Sequence, residues 1–418
     1  ETLGTFHLTP DFRGCNPGGP GNLRPYLDPD HSWDGGRRQI TGGFLTDDND
    51  EFAIGYYEES DVELYAKLAR QFTLCDNYFC SVLGPTFPNR EYMHSAWSGG
   101  QTTNNLPSDV PGQETGFQWQ TIWDLLDAAG VPWAYYFVDL PAIGLWGSRL
   151  LRGARHIESF FADAYAGTLP NVVFVDPGFT TGFRTDEHPY GDIRSGQAFS
   201  HNVVKAVVES PLWSRSALFV NYDEWGGFFD SVQTPPTVND ETKPLDGNLQ
   251  ARSGSFSQLG FRVPCMIVSP FAPKGVRSSQ VVPNRFYDHI SILKYVKERF
   301  GLPSLTPLHK AQFPGQFDPG TGDRHDEAAN IGELLLSQAD PARLDPAFLV
   351  EALPRPLVHS CPCPHEVLEG ISGGLSDLER SATEPLDNGF EELATFLEGI
   401  GAPVTPPRST HDLICKVL

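Results

Sequence analysis

The chain lacks any long apolar stretch. Its 418 residues include no run of about 18 consecutive apolar residues, the length that a transmembrane helix requires. The residues that follow Glu1 also lack the basic region and apolar block of a secretory signal peptide. The sequence therefore predicts no transmembrane segment. The length fits one large α/β domain with an appendage, or two domains.

Positive charge is scarce. The chain has 30 Lys and Arg against 53 Asp and Glu, for a net charge of −23. Such a balance argues against nonspecific binding of nucleic acids and against electrostatic docking on anionic membranes, because both partners are negatively charged. It permits the binding of cations.

Strand-length apolar runs alternate with amphipathic helical patterns. The runs cover residues 131–138, 171–178, 216–227 and 263–271, and the helical patterns cover residues 61–72, 121–130 and 286–301. Continuous apolar strands between helices are typical of a mostly parallel central sheet with helices on both faces. Residues 1–60, rich in Gly, Pro and Asp, are predicted as ordered coil and turns. Ligands of such α/β folds bind at the carboxyl ends of the strands.

Asp223 and Glu224 stand at the end of one of these predicted strands. They follow the apolar "ALFVNY" and precede a Gly-Gly pair, which lets the backbone turn sharply. Adjacent carboxylates in this position offer oxygen ligands to a hard divalent cation. The alternative is a solvated acidic turn.

Thr86 lies in the stiff segment "GPTFPNR", residues 84–90. Pro85 and Pro88 restrict the backbone on either side of it. A threonine held before a helix, with Arg90 one helical turn later, suits nucleophilic attack on phosphorus, because a helix N-terminus and an arginine attract anions. The alternative is a rigid helix entry without chemistry.

Two histidines are further candidates. His188 lies in the loop "TDEHPYGD", where it would contact a phosphate, ligate a metal or simply be solvated. His289 lies in the first turn of the helix predicted from "FYDHIS", next to Asp288, a candidate helix cap.

The order of three motifs resembles the bacterial and plant phosphoesterase family that includes nonspecific phospholipases C and an acid phosphatase branch. The motifs are "GPTFPNR", "DEWGGFFDSVQTPP" and "GFRVPCMIVSPFAPKG". The segments "DPDHSW", "CDNYFCSVLGPT" and "FYDHISIL" are also similar to family segments. The resemblance extends over roughly residues 25–305.

The resemblance implies an alkaline-phosphatase-like α/β fold and a metal-dependent phosphoric ester hydrolase. By matching position, Thr86 would be the nucleophile and a metal ligand, and Asp223 and Glu224 would bind the same ion. Asn89, His188 and His289 would line the phosphate site. Carboxylates and a hydroxyl suit Ca²⁺, Mg²⁺ and Mn²⁺ alike. The family implies a secreted or periplasmic location, and the sequence leaves a cytoplasmic one open.

Two departures from the family pattern affect the site. Ser231 follows Asp230 where the family has a histidine, which removes a phosphate contact or general acid. The family's opening strand and Glu-Asn-Arg-Ser-Phe-Asp-His motif, whose Glu and Asn complete the metal site, has no match. We expect a separate or removed N-terminal peptide to supply it, because the sheet would otherwise keep an unpaired edge.

Residues 1–315 are thus predicted to form the phosphoesterase domain, and residues 316–418 a loop-rich and helical extension. Three functions remain open: a phospholipase C-like enzyme with a phosphothreonine at Thr86, a catalytically silent relative used for binding or structure, and a phosphatase for small soluble monoesters. The substrate would be a phosphoester or phospholipid.

Overall fold

The computed structural model describes residues 6–8, 28–46, 49–180, 184–189, 191, 193–245, 256–345 and 390–404. Its strands are β1 Phe6–His7, β2 Gly55–Tyr56, β3 Thr73–Leu74, β4 Trp133–Phe137, β5 Ala154–His156, β6 Val172–Val175, β7 Leu218–Asn221, β8 Cys265–Val268 and β9 Val276–Arg277. Its helices are α1 Trp33–Gly42, α2 Glu63–Gln71, α3 Thr86–Ser95, α4 Ile122–Ala128, α5 Ser148–Leu151, α6 Ile157–Ala166, α7 Ile193–Glu209, α8 Ser278–Val281, α9 His289–Phe300, α10 Leu305–Gln312, α11 Arg324–Glu327 and α12 Phe390–Gly399.

The strands form two sheets and a short pair. One sheet has the order β5-β4-β6 with all strands parallel, and the other has the order β7-β8-β3-β9. In the second sheet β8 runs antiparallel to β7 and β3, while β3 and β9 are parallel. The α/β prediction with mostly parallel pairing is confirmed. The sequence predicts one central sheet, however, whereas the structure has two, and the break lies between β6 and β7.

Helices cover both faces of the parallel sheet. The side chains of β4 alternate: Ala134 and Tyr136 join one hydrophobic cluster, and Trp133, Tyr135 and Phe137 join the other. Helices α6 and α7 pack into the first cluster, and α3, α4, α9 and α12 into the second. This alternation follows from the two-residue period of a strand. It confirms the prediction of helices on both faces.

Most predicted elements are present, and one helix was not predicted. Thr121 caps α4 by accepting a hydrogen bond from the Asp124 N–H, and α9 ends at Gly301. Helix α1 lies where the sequence predicts coil. Its glycines lower its intrinsic helix propensity, but Gly36 packs tightly against Leu83 and Trp225, so that tertiary contacts stabilise the helix.

The described part of residues 316–404 packs on the same body. The guanidinium of Arg324 is buried, with ion pairs to Asp240 and Asp288. Helix α12 packs against the short 3-10 helix Ala142–Trp146. Among the described helices, none combines the length and the apolar character needed to cross a membrane.

Candidate active site

Thr86 is the first residue of α3 and is 3% exposed. Pro85 precedes it in extended conformation, since proline fits the entry to a helix and fixes the backbone there. The Oγ1 atom of Thr86 is buried and has no hydrogen-bond partner among the described residues. Because buried hydroxyls almost always have a partner, this one is available to a ligand.

Asn89 faces the loop before α3 and not the open space beside Thr86. Its Nδ2 atom donates to the carbonyls of Val82, Gly84 and Pro85, and its Oδ1 accepts from the Val82 N–H at 3.1 Å. The side chain is completely buried. Asn89 thus holds the turn that presents Thr86, rather than reaching a phosphate directly.

Arg90 joins the ends of the two sheets. Its Nη1 atom donates to both carboxylate oxygens of Asp176 at 3.1 Å, and its Nε donates to Asp223 Oδ2 at 2.8 Å. Asp176 directly follows β6, and Asp223 follows β7 by one residue. The carboxyl ends of β6 and β7 therefore meet at one guanidinium, one helical turn from Thr86.

Burial and neighbouring charges shift the pKa values of Asp176 and Arg90. Burial raises the pKa of Asp176 to about 6, although Arg90 acts in the opposite direction. Burial alone lowers the pKa of Arg90, but Asp176 and Asp223 outweigh it and raise the pKa above its usual value. Arg90 is therefore a permanent cation in the site.

Asp223 and Glu224 lie where the sequence predicts, at the carboxyl end of β7. The Asp223 side chain is 23% exposed and accepts from the Glu224 N–H, while Glu224 is buried and accepts from the Gly226 N–H at 2.6 Å. Gly226 and Gly227 have φ values of 60° and 75°, the left-handed region that glycine tolerates. The Gly-Gly pair thus provides the sharp turn after the carboxylates.

His289 supports Asp223 through the backbone. Its Nε2 atom donates to the Asp223 carbonyl at 2.6 Å, and its Nδ1 accepts from the Tyr78 hydroxyl at 3.0 Å. Both ring nitrogens are thus engaged, and burial lowers the pKa of the imidazole. Through its hydrogen bond to the Asp223 carbonyl, His289 holds the carboxyl end of β7 in place.

His188 and His31 meet edge to face, with ring centroids 5.2 Å apart. The Nδ1 atom of His188 donates to the Pro189 carbonyl at 2.6 Å, and its buried Nε2 has no partner among the described residues. Potential ligand atoms of Asp28, His31 and His188 lie within 4.8 Å of one another. Within the described chain, these three residues form a second group able to hold a metal ion.

The group of Asp28, His31 and His188 is connected to the carboxylates after β7 through His31 and Glu224. The Nε2 atom of His31 is 3.9 Å from Glu224 Oε1. Burial lowers the pKa of His31, but Glu224 and Asp28 outweigh it and raise the pKa to about 9. Burial, aided by the charges of His31 and Arg184, lowers the pKa of His188 to about 3. One histidine is thus charged and the other neutral at neutral pH.

A cleft of about 1320 Å³ runs between β6 and β7 and contains the site. It is lined by Thr86, Arg90, His188, Asp223, Glu224 and His289. Five of the predicted site residues besides Thr86 are therefore brought to one cleft, and Asn89 lies behind its wall.

The residues of the cleft fit a divalent cation. The unpartnered Thr86 hydroxyl and the carboxylates of Asp223 and Glu224 are hard oxygen donors, which Ca²⁺, Mg²⁺ and Mn²⁺ prefer. The group of Asp28, His31 and His188 mixes oxygen with imidazole nitrogen, which suits transition metals better.

Three residues of the site were not singled out from the sequence: Asp28, His31 and Asp176. Asp176 directly follows an apolar strand, and Asp223 follows another strand after one intervening residue. The rule that ligands bind at the carboxyl ends of strands would therefore have identified Asp176. Asp28 and His31 precede α1, and only the tertiary fold brings them to His188.

The phosphoesterase family model matches residues 25–303 of the chain. The chain is 33% identical over 324 residues to phospholipase C B of Mycobacterium tuberculosis, covering 66% of this chain and 60% of the relative. It is 30% identical over 325 residues to non-specific phospholipase C6 of Arabidopsis thaliana, covering 70% and 60%. The chain thus spans about 60% of the length of these curated relatives.

Among solved structures, the chain is similar to a protein in the alkaline phosphatase superfamily from Vibrio parahaemolyticus. The identity is 11% and the TM-score 0.36, with 58% of this chain and 61% of the other covered.

Proposed function

This chain belongs to the phosphoesterase family, and on that premise we propose that it hydrolyses phosphoric diesters in the manner of a phospholipase C, through a phosphothreonine at Thr86. The observation that carries the proposal is the buried, unpartnered Thr86 hydroxyl, one helical turn from an arginine that joins two strand-end carboxylates.

The chain's own residues supply the attacking and the binding groups. Thr86 Oγ1 forms the new bond to phosphorus and passes its proton to solvent, while the bond to the departing oxygen breaks on the opposite side and that oxygen takes up a proton to leave as an alcohol. Water then hydrolyses the phosphothreonine. Arg90 balances the charge of the phosphoryl oxygens, and Asn89 keeps the Thr86 turn rigid. His31, charged at neutral pH, is the group suited to donate a proton or hydrogen bond to an oxygen of the ester.

We propose that a divalent cation is held by Thr86, Asp223 and Glu224. When bound, such an ion lowers the pKa of an alcohol ligand and withdraws charge from phosphoryl oxygens. Asp28, His31 and His188 are an alternative group, of which His188 lines the cleft. A metal ion held there would require His31 in its neutral form and would therefore exclude its role as a proton donor. His188 presents its Nε2 to this space in neutral form, as a metal or a phosphate contact requires.

We also propose that the space between β6 and β7 is a position for one further strand. All four residues of β6 and of β7 are half-buried, whereas β4 and β8 are buried throughout. Neighbouring strands are about 4.8 Å apart, so one absent strand leaves a gap of about 10 Å between its neighbours. The cleft between β6 and β7 supports this proposal.

The substrate follows from the relatives and from the charge of the chain. The named relatives are phospholipases C, which favours a phospholipid, and the net charge of −23 favours a zwitterionic head group over an anionic one. We propose a secreted or periplasmic location on the family resemblance.

The first test of this function is turnover of a chromogenic phosphodiester, p-nitrophenyl phosphorylcholine, with Ca²⁺, Mg²⁺ or Mn²⁺. Thr86→Val keeps the shape of the side chain but removes the hydroxyl, so we expect kcat to fall by at least about 10³-fold. Thr86→Ser, the matched control, keeps a hydroxyl and should retain measurable turnover. Melting temperatures of both variants should stay near that of the unmutated chain, since Thr86 Oγ1 makes no hydrogen bond with the described residues.

Turnover of Thr86→Val close to the unmutated level would overturn the covalent mechanism. If the unmutated chain cleaves p-nitrophenyl phosphate but not the diester, the chain is a monoesterase. If it cleaves neither ester with any of the three ions, the catalytically silent alternative replaces the proposal.

A further inference from the structure

The C-terminal helix α12 begins beside the active site. Its first residue, Phe390, is 3% exposed and lines the cleft. The Phe390 ring is stacked on that of Phe179, with centroids 3.9 Å apart and planes 3° from parallel. It also meets the edge of Phe87, the residue after Thr86, at 5.6 Å. A residue some 300 positions away in sequence thus contacts the neighbour of the nucleophile.

Phe390 and Phe179 form an aromatic wall beside Arg90. The guanidinium carbon of Arg90 is 4.8 Å from the Phe179 centroid and 5.4 Å from that of Phe390. Both distances are within the range of a cation–π contact. The Nη1 and Nε atoms of the guanidinium donate to Asp176 and Asp223, so aromatic and acidic groups together determine where it lies.

The two rings are held by different parts of the chain. The Asp139 carboxylate accepts hydrogen bonds from the N–H groups of Phe179 and Thr180, which fixes that loop. Phe390 instead depends on α12, whose Leu393 and Leu397 are completely buried. Leu397 occupies the space beside Gly144, where an added Cβ would lie 2.1 Å from Leu397 Cδ2. The docking of α12 therefore decides whether the aromatic wall is complete.

We propose that Phe390 is a positioning residue for Arg90, so that the C-terminal helix completes the active site. This inference rests on the proposed function, in which Arg90 balances phosphoryl charge. Without the Phe390 ring, water reaches the guanidinium and competes with its carboxylate partners. The arginine then occupies several positions, and its contact with the transition state is weakened more than its contact with the bound substrate.

The kinetic test compares Phe390→Leu with Phe396→Leu. Both changes remove a phenyl ring from α12, but Phe396 is only partly buried and has no ring contact with Phe179. We expect Phe390→Leu to lower kcat by between about tenfold and about a hundredfold, because a shift of about 1 Å in a catalytic group has such an effect. The KM should change little, Phe390→Tyr should restore most of the activity, and Phe396→Leu should leave kcat unchanged.

A second readout does not depend on turnover. Phenylglyoxal labels accessible guanidinium groups, and the rate at Arg90 can be followed by mass spectrometry of its peptide. Arg90 is buried, so labelling should be slow in the unmutated chain and severalfold faster in Phe390→Leu, with no change in Phe396→Leu. Gly144→Ala, which displaces Leu397, should also accelerate labelling. Gly399→Ala, at an open position of α12, should not.

The outcomes separate the two proposals. An unmutated chain without esterase activity contradicts the proposed function, while the labelling rates still decide the role of Phe390. Equal labelling and equal kcat in Phe390→Leu and Phe396→Leu would overturn the inference. The inference would also be overturned if Phe390→Tyr were as impaired as Phe390→Leu, because tyrosine keeps the aromatic ring that the proposed contact with Arg90 requires.

Discussion

His94 is a buried titratable residue near the site. It lies in α3 among the rings of Trp123, Tyr135, Trp146 and Phe174 and is 1% exposed. Its Nδ1 atom accepts a hydrogen bond from the indole of Trp123 at 3.3 Å. Burial, aided by the charge of Arg90, lowers the pKa of His94 to about 3. The folded state therefore holds a neutral imidazole.

This residue makes stability depend on pH. The unfolded chain protonates His94 near its ordinary pKa of 6.5, whereas the folded chain resists protonation until about pH 3. Between about pH 3 and pH 6.5 the unfolded state therefore binds more protons than the folded state. The free energy of unfolding consequently decreases as the pH falls through this range. The slope for one such group is about 1.4 kcal/mol per pH unit.

We predict that His94→Gln lowers this slope by about that amount, because glutamine does not titrate. The measurement is the free energy of unfolding from urea titrations at several pH values between 4 and 6. Other buried histidines contribute to the slope, so the difference between variant and unmutated chain is the quantity to compare. Equal slopes would mean that His94 is solvated or already charged in the folded protein.

At the scale of elements, strands β6 and β7 are the unusual pair. Each is paired on one side only within the described chain, and each borders the cleft along all four residues. A strand that is paired on one side only leaves the N–H groups of its other edge without ladder partners. We therefore expect amide hydrogens of β6 and β7 to exchange with solvent faster than those of β4, whose neighbours are β5 and β6.

The proposed additional strand can be tested with a synthetic peptide. The probe is a ten-residue peptide with four consecutive valine or isoleucine residues followed by Glu-Asn. It should slow exchange in β6 and β7 and raise the melting temperature, because pairing stabilises the folded state by mass action. A control peptide with proline in the strand cannot pair and should do neither. Slower exchange in β6 and β7 with both peptides, or with neither, would contradict the proposal that a strand position is open between them.

At the scale of the whole molecule, the parts found from the sequence are those that local chemistry determines. Apolar runs ending in Asp, Pro or Gly identified β6, β7 and β8, and the proline-flanked segment identified the entry to α3. The division between the sheets was not predicted, because strand pairing joins residues far apart in sequence. The contact of Phe390 with Phe179 has no local signal for the same reason. Asn89 was assigned to the phosphate, but its amide holds the loop before α3.

The account depends most on a covalent bond between Thr86 and phosphorus. Its most direct test is acid quenching of the chain during turnover of a phosphodiester, followed by mass spectrometry of the peptide that contains Thr86. The proposed mechanism predicts a peptide heavier by the phosphoryl group together with the alcohol that it retains, which is phosphorylcholine when p-nitrophenyl phosphorylcholine is the substrate. Fragment ions should locate this group on Thr86, and the peptide should be absent in Thr86→Val. Burst-phase release of the alcohol before steady state should accompany it. Rapid turnover with no phosphorylated Thr86 at any quench time would contradict the account and indicate direct attack by water.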